Sequence, residues 1–230
     1  LEELNFTKDD TSRYSLHLLS ELYFNNHPLE HFIIGAEQSI ISMNKQKLYS
    51  FYKKYYTPSN MYLVLCGNFP KNSKQLITRY FSINNTTKFK NAIPTQKLPT
   101  QTKPQFKIIQ KNTPQACVTV GFPISNIYNR KQQSLLLVLL NIFADGLNSR
   151  LSLLLREKKG LIYSISSGLE QYQDNGLLYI QCSADSKKLV TNKGVLSILL
   201  HELFKKKKIT KTELQQSKQI VITKITISQD

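Results

Sequence analysis

His27-Pro28-Leu29-Glu30-His31 spells HxxEH, the spacing that sets two imidazoles one helical turn apart on Zn2+, with a glutamate to take a proton from bound water. That chemistry needs a regular helix and a further carboxylate several tens of residues downstream. Pro28 and the preceding Asn25-Asn26 write a turn instead, and residues 38–144 contain no Asp or Glu. The motif reads as a loop. The other early acids are Glu2-Glu3 and Asp9-Asp10, and by itself such a pair is charge at a helix end. Cys66, Cys117 and Cys182 stand far apart in apolar, strand-like segments with no CxxC or Cys/His cluster. They read as buried free thiols rather than a zinc site or a disulfide framework, which suits a reducing compartment such as the cytoplasm.

The elements that must carry such groups follow from periodicity. Residues 11–24 read as a helix, with Leu16, Leu19 and Tyr23 at helical spacing and Thr11 or Ser12 as cap. Asn44 caps a second helix over 45–56, which Pro58 closes. Residues 61–66 read as a strand buried on both faces, since nearly all of them are apolar. A helix over 71–81 precedes a stretch rich in Asn, Thr, Lys and Pro that reads as a linker. Strands are predicted over 106–110 and 116–122, a buried helix over 132–143, and an amphipathic one over 149–158 ended by Gly160. Asp174-Asn175-Gly176 joins strands over 162–172 and 177–184 as a hairpin. Helices over 188–204 and 211–225 close the order, which is α+β with a mixed or largely antiparallel sheet.

Composition narrows the function classes. The chain has 230 residues, 40% of them hydrophobic, with 12 Tyr and 11 Phe, which is too apolar for a disordered chain. Its longest apolar run, 135–140, is far short of the roughly 20 residues a membrane helix needs, so no membrane span is expected. The net charge is +16 and unevenly spread, with fifteen Lys or Arg in the acid-free stretch 38–144. Nucleic acid is not the expected partner, because these bases do not interleave with aromatics in a nucleic-acid motif. The chain opens on Leu1 rather than Met and stops inside a helical pattern, so it reads as an internal fragment.

Two blocks carry a resemblance. The first is His27-Pro28-Leu29, Gly35-Ala36-Glu37-Gln38-Ser39-Ile40, Phe51-Tyr52-Lys53-Lys54-Tyr55-Tyr56-Thr57-Pro58-Ser59-Asn60-Met61 and Val64-Leu65-Cys66-Gly67-Asn68. The second is Gly146-Leu147-Asn148-Ser149-Arg150-Leu151, then Arg156-Glu157-Lys158-Lys159-Gly160-Leu161-Ile162-Tyr163-Ser164, continued by Ser167-Gly168 and Asp174-Asn175-Gly176. Together they resemble the pitrilysin–insulinase–mitochondrial-processing-peptidase (M16) family of zinc peptidases, in order and in spacing. One departure is Ala144-Asp145-Gly146, where the family has a glycine-rich loop; it favours a catalytically silent partner subunit.

The resemblance implies two-layer α/β sandwich domains with mixed, largely antiparallel sheets, of the LuxS/MPP-like metallohydrolase type. Residues 1–83 would be the C-terminal half of a first peptidase-like domain. Residues 84–104 would be the linker, and 105–230 the N-terminal part of a second, inactive-type domain. It implies a Zn2+ cofactor held by an HxxEH helix lying before Leu1 and by a further glutamate, which falls on Glu3, with Glu2 as the alternative. Arg156 and Tyr163 match the arginine and tyrosine that hold substrate backbone and stabilise the oxyanion from the non-zinc half. Without the resemblance, Arg156 would be helix-end charge and Tyr163 strand filler. The implied partners are a peptide substrate and a second M16-like half or subunit. The expected function is metallo-endopeptidase action by the parent protein, with this fragment alone inactive. The alternative is a silent member acting as a structural or substrate-guiding partner.

Overall fold

The computed structural model describes residues 1–82, 101, 103–125, 130–172, 175–189 and 194–228. In chain order the main elements are α1 (Glu2–Asp9), α2 (Thr11–Tyr23), α3 (Glu37–Ile41), α4 (Lys45–Tyr55) and α5 (Ser73–Phe81). Then come β1 (Gln115–Ser125), α6 (Arg130–Phe143), a π-helix (Ser152–Lys158), β2 (Ser164–Gln171) and β3 (Asn175–Asp185). Helices α7 (Ser186–Leu189), α8 (Val195–Phe204) and α9 (Lys211–Ile227) complete the order. The fold is α+β, and its sheet is antiparallel.

The chain divides into two compact units, Leu1–Ile34 with Leu98–Asp230, and Gly35–Lys97. The first holds the sheet, ordered β1-β3-β2. β3 lies in the centre and is buried along most of its length on both faces. It pairs with β1 from Gln115↔Asp185 to Ser125↔Asn175, and with β2 from Ser164↔Ser183 to Gln171↔Gly176. The expected hairpin between β2 and β3 is therefore present, closed by Tyr172 N–H donating to the Asn175 carbonyl at 2.8 Å; residues 173–174 lie outside the described residues.

The two faces of this sheet differ chemically, because alternate residues point to opposite sides. On one face Leu178, Ile180, Cys182 and Ala184 join Leu140, Leu151, Leu155, Ile162, Val195 and Leu199 in the apolar core. On the other, Gln181 Nε2 donates to the Ser12 carbonyl (2.9 Å) and Ser15 Oγ (2.9 Å), and Ser15 shares a hydrogen with Thr119 Oγ1 (2.7 Å). These bonds seat α2 on the sheet. Gly121 lets it approach: a Cβ there would meet Leu19 Cδ1 at 2.8 Å and Leu177 Cδ1 at 3.0 Å. The packing explains why α1 and α2 group with the later residues in one unit.

Several local expectations hold, and several fail. Asn44 caps α4 by accepting from Lys47 N–H at 2.9 Å. The α2 cap is Asp10, whose carboxylate accepts from Ser12 and Arg13 N–H, rather than Thr11 or Ser12. Residues 61–66 form no strand. A strand is stabilised by a ladder, the described strands pair only with one another, and Tyr62 and Val64 stand 98% and 85% exposed. Residues 106–110 fail for the same reason and are exposed throughout. Cys66 is exposed, not buried, while Cys182 is buried and Cys117 intermediate. The helix expected over 188–204 is realised as α7 and α8, with 190–193 outside the described residues. The expected linker, 84–104, lies almost wholly outside them.

In the second unit, Gly35–Lys97, the regular elements among the described residues are helices. Asn60 Nδ2 donates to the Tyr55 carbonyl at 2.9 Å, tying the end of α4 to the short 3-10 turn Pro58–Asn60, and Thr57 between them is fully buried. Leu48, Phe51 and Tyr52 on α4 remain exposed.

Candidate functional site

His27, Glu30 and His31 sit on and around a 3-10 turn, Pro28–Glu30, not on an α-helix. His27 is its N-cap, and its Nδ1 accepts from Leu29 N–H at 3.2 Å. Glu30 Oε2 accepts from Asn26 N–H at 2.6 Å, with His31 Nδ1 3.9 Å from its other oxygen. The two imidazoles therefore do not share one helical face, and the HxxEH string is spent on local turn bonds. Glu3 lies in the first turn of α1 with an exposed side chain, and its carbonyl accepts from Thr7 Oγ1 at 2.9 Å. No group of three His, Cys, Asp or Glu that could hold a metal ion occurs among the described residues. One exposed carboxylate does not fit a metal site, which needs three or four converging ligands.

Arg156 and Tyr163 flank a single connection. The π-helix carries Arg156, and its wide turn closes through Lys159 N–H to the Leu154 carbonyl (3.1 Å) and Leu161 N–H to the Leu155 carbonyl (2.8 Å). Gly160 ends it with φ +56°, a left-handed value that glycine adopts without a Cβ clash, as its place after the helix predicts. Tyr163 follows just before β2, its N–H donating to the Ser183 carbonyl of β3 at 2.8 Å. The backbone N–H of Tyr163 is thus fixed to the sheet while the residue as a whole is 56% exposed. Arg156 is exposed as well, and its only ion pair among the described residues is with the adjacent Glu157 at 3.8 Å. An exposed pair of that kind contributes about 0–1 kcal/mol, so it leaves the guanidinium available to a ligand. No hydrogen bond or ion pair links Arg156 to Tyr163 or to Glu3 among the described residues.

The sequence reading passed over Arg150 and Glu213. Arg150 Nε and Nη2 meet the two Glu213 carboxylate oxygens at 2.7 and 2.9 Å, a bidentate fork. The same guanidinium donates to the carbonyls of Lys207 (3.3 Å) and Lys208 (2.9 Å) and lies over the Phe143 ring at 5.3 Å. Glu213 also completes a capping box with Thr210 at the start of α9. The Arg150 hydrogen bond, then the Thr210 N–H, pull its carboxyl down to about 2. Thr210-Lys211-Thr212-Glu213 was a visible capping signal; the partner 63 residues away was not. Glu170, half-buried on β2 with Ser20 Oγ 3.4 Å from Oε2, has its carboxyl pKa raised by burial, which the Ser20 bond partly opposes.

Comparison with known proteins adds what geometry alone does not give. A family profile described as "Peptidase M16 inactive domain" matches residues 42–221. An uncharacterised zinc protease of Bacillus subtilis is 28% identical over 222 residues, covering 95% of this chain and 52% of the relative. One from Rickettsia felis is 28% identical over 193 residues, covering 82% and 45%. Among solved structures, a protease from Helicobacter pylori aligns with a TM-score of 0.80 at 22% identity, covering 99% of this chain and 55% of that one. A peptidase M16 inactive domain from Pseudomonas fluorescens aligns with 0.73 at 20% identity, covering 96% and 53%. The chain spans about half the length of the relatives it matches.

Proposed function

The chain belongs to the peptidase M16 family, and on that premise we propose that it is part of a zinc-dependent endopeptidase, supplying peptide-holding groups rather than most of the metal site. The observation that carries this reading is the exposure of Arg156 and Tyr163 at the two ends of one rigidly bonded connection into β2. A fixed cation and a phenolic donor aimed at a carbonyl whose oxygen gains negative charge lower the barrier to its attack. Arg156 would grip the peptide backbone, and Tyr163 O–H would donate to the developing oxyanion. The domain limits expected from the resemblance belong to the same proposal. So does a second M16-like half or subunit facing these two side chains across the peptide. Glu3 is proposed as this chain's one contribution to zinc. The described residues do not fit a complete metal site.

The test is Tyr163→Phe in the full-length protein. Loss of one oxyanion donor should lower kcat by roughly two to three orders of magnitude, with zinc content and circular dichroism unchanged. A second reading, a silent partner that guides substrate, is favoured by Ala144-Asp145-Gly146 standing where the family has a glycine-rich loop. The family profile's own description as an inactive domain points the same way. Full activity in both Tyr163→Phe and Arg156→Ala would make that second reading the better one.

A further inference from the structure

Arg156 rides on an unusual piece of backbone. A run of seven π-helical residues is rare, because its i→i+5 turn is wide and stacks poorly along its axis; such turns persist where the surroundings hold them. From the core side, Leu151 and Leu155 are fully buried and fix which face points inward. That leaves the start of the segment and its tilt to be set by something else.

Arg150 stands at that start. Its side chain is only 10% exposed, and its fork reaches Glu213 on α9 while two of its nitrogens reach the 207 and 208 carbonyls. A second tie to the same helix lies just upstream, where Lys224 Nζ contacts Asp145 Oδ2 at 2.6 Å. Asn141 Nδ2 donates to the Asp145 carbonyl at 3.2 Å, so the 145–150 connection is held at both ends. Asp145 and Arg150 are thus bound to opposite ends of α9, which acts as a splint along the loop that launches the π-helix. Arg156 follows Arg150 by little more than one turn, so a shift in the anchor is passed to its guanidinium.

We propose that Arg150 is a positioning residue, which through Glu213 and α9 sets where Arg156 presents its guanidinium to the peptide. The inference rests on the peptide-holding reading of Arg156 and adds the part that keeps it in place. Lysine cannot substitute at Arg150: one ammonium cannot span both carboxylate oxygens and two carbonyls in a planar fork.

The test is a double-mutant cycle in the full-length protein, measured on an internally quenched fluorogenic peptide, together with amide hydrogen exchange over residues 152–160. Arg150→Lys should lower kcat/KM on the order of ten- to a hundredfold, the range for misplacing a substrate-orienting group by about an ångström. Exchange over the π-helix should quicken. Placed on Arg156→Ala, the same change should cost little more, because the group it positions is gone. Glu213→Gln is the gentler second variant, since glutamine can still serve the capping box, and it should show the same coupling in weaker form. An equal loss in both backgrounds, or unchanged exchange over 152–160, overturns the inference while leaving the peptide-holding reading intact. Full activity of Arg156→Ala, or no cleavage by the wild-type protein, removes that reading and this inference with it.

Discussion

Replacing Glu213 by glutamine removes one negative charge from a place where four donors converge on it. The carboxylate takes two bonds from Arg150 and shares Oε2 with Thr210 N–H (2.8 Å) and Thr210 Oγ (2.9 Å). A hydrogen bond to a charged group contributes about 1.5–3 kcal/mol. The Glu213 side chain is 31% exposed, and glutamine keeps one acceptor for Thr210, so the lower end applies and the expected destabilisation is about 1.5 kcal/mol. The pH dependence is more decisive than the size. The folded carboxyl lies at about 2 against 4.5 ordinarily, so its stabilisation is complete above the unfolded value. It then fades as pH falls from 4.5 towards 2. Urea unfolding followed by circular dichroism, on wild type and Glu213→Gln, should therefore show a constant gap at pH 5–7 that closes below pH 4.5. A gap under about 0.5 kcal/mol at pH 7, or one that persists unchanged to pH 2.5, would refute the assignment of Arg150–Glu213 as a strong pair.

Leu155→Ala should destabilise the sheet-bearing unit by about 2–5 kcal/mol, because the side chain is fully buried and its cavity cannot fill, as thermal or urea unfolding will read. In the full-length protein, Glu3→Gln should lower zinc content, whereas His27→Ala and His31→Ala should leave it unchanged; metal analysis giving the reverse pattern would move the ligand assignment. Glu170→Gln should raise the melting temperature at pH 7. Burial lifts the folded carboxyl pKa, so its contribution is present below the unfolded value and lost as pH rises through the folded one. The gain should shrink at pH 4, and an equal gain at both would sink the reasoning.

What the sequence disclosed was what neighbouring residues decide. Asn44 as a cap, the β2–β3 hairpin and Gly160 after the π-helix each depend on a few consecutive side chains and were legible. So was the failure of HxxEH to make a zinc helix, since Pro28 and Asn26 set a turn whatever the rest of the chain does. Residues 61–66 show the opposite case: apolar composition marks a segment that could pair, but a ladder requires a partner strand that composition does not name. Arg156 and Tyr163 were candidates through the resemblance alone, and nothing in their own spacing would have singled them out. The Arg150 anchor was half legible, as a capping box at Glu213 whose distant partner only folding brings in.

The sheet's unlike faces should respond in opposite ways to cold. Apolar burial weakens on cooling, so the core that Ile180 of the sheet shares with Leu199 of α8 loosens as temperature falls. The contact of α2 through Gln181, Ser15 and Thr119 does not depend on that driving force. Near freezing, a chain loosened on one side of its sheet would still hold a helix in register on the other, and the low-temperature form would be lopsided rather than uniformly relaxed.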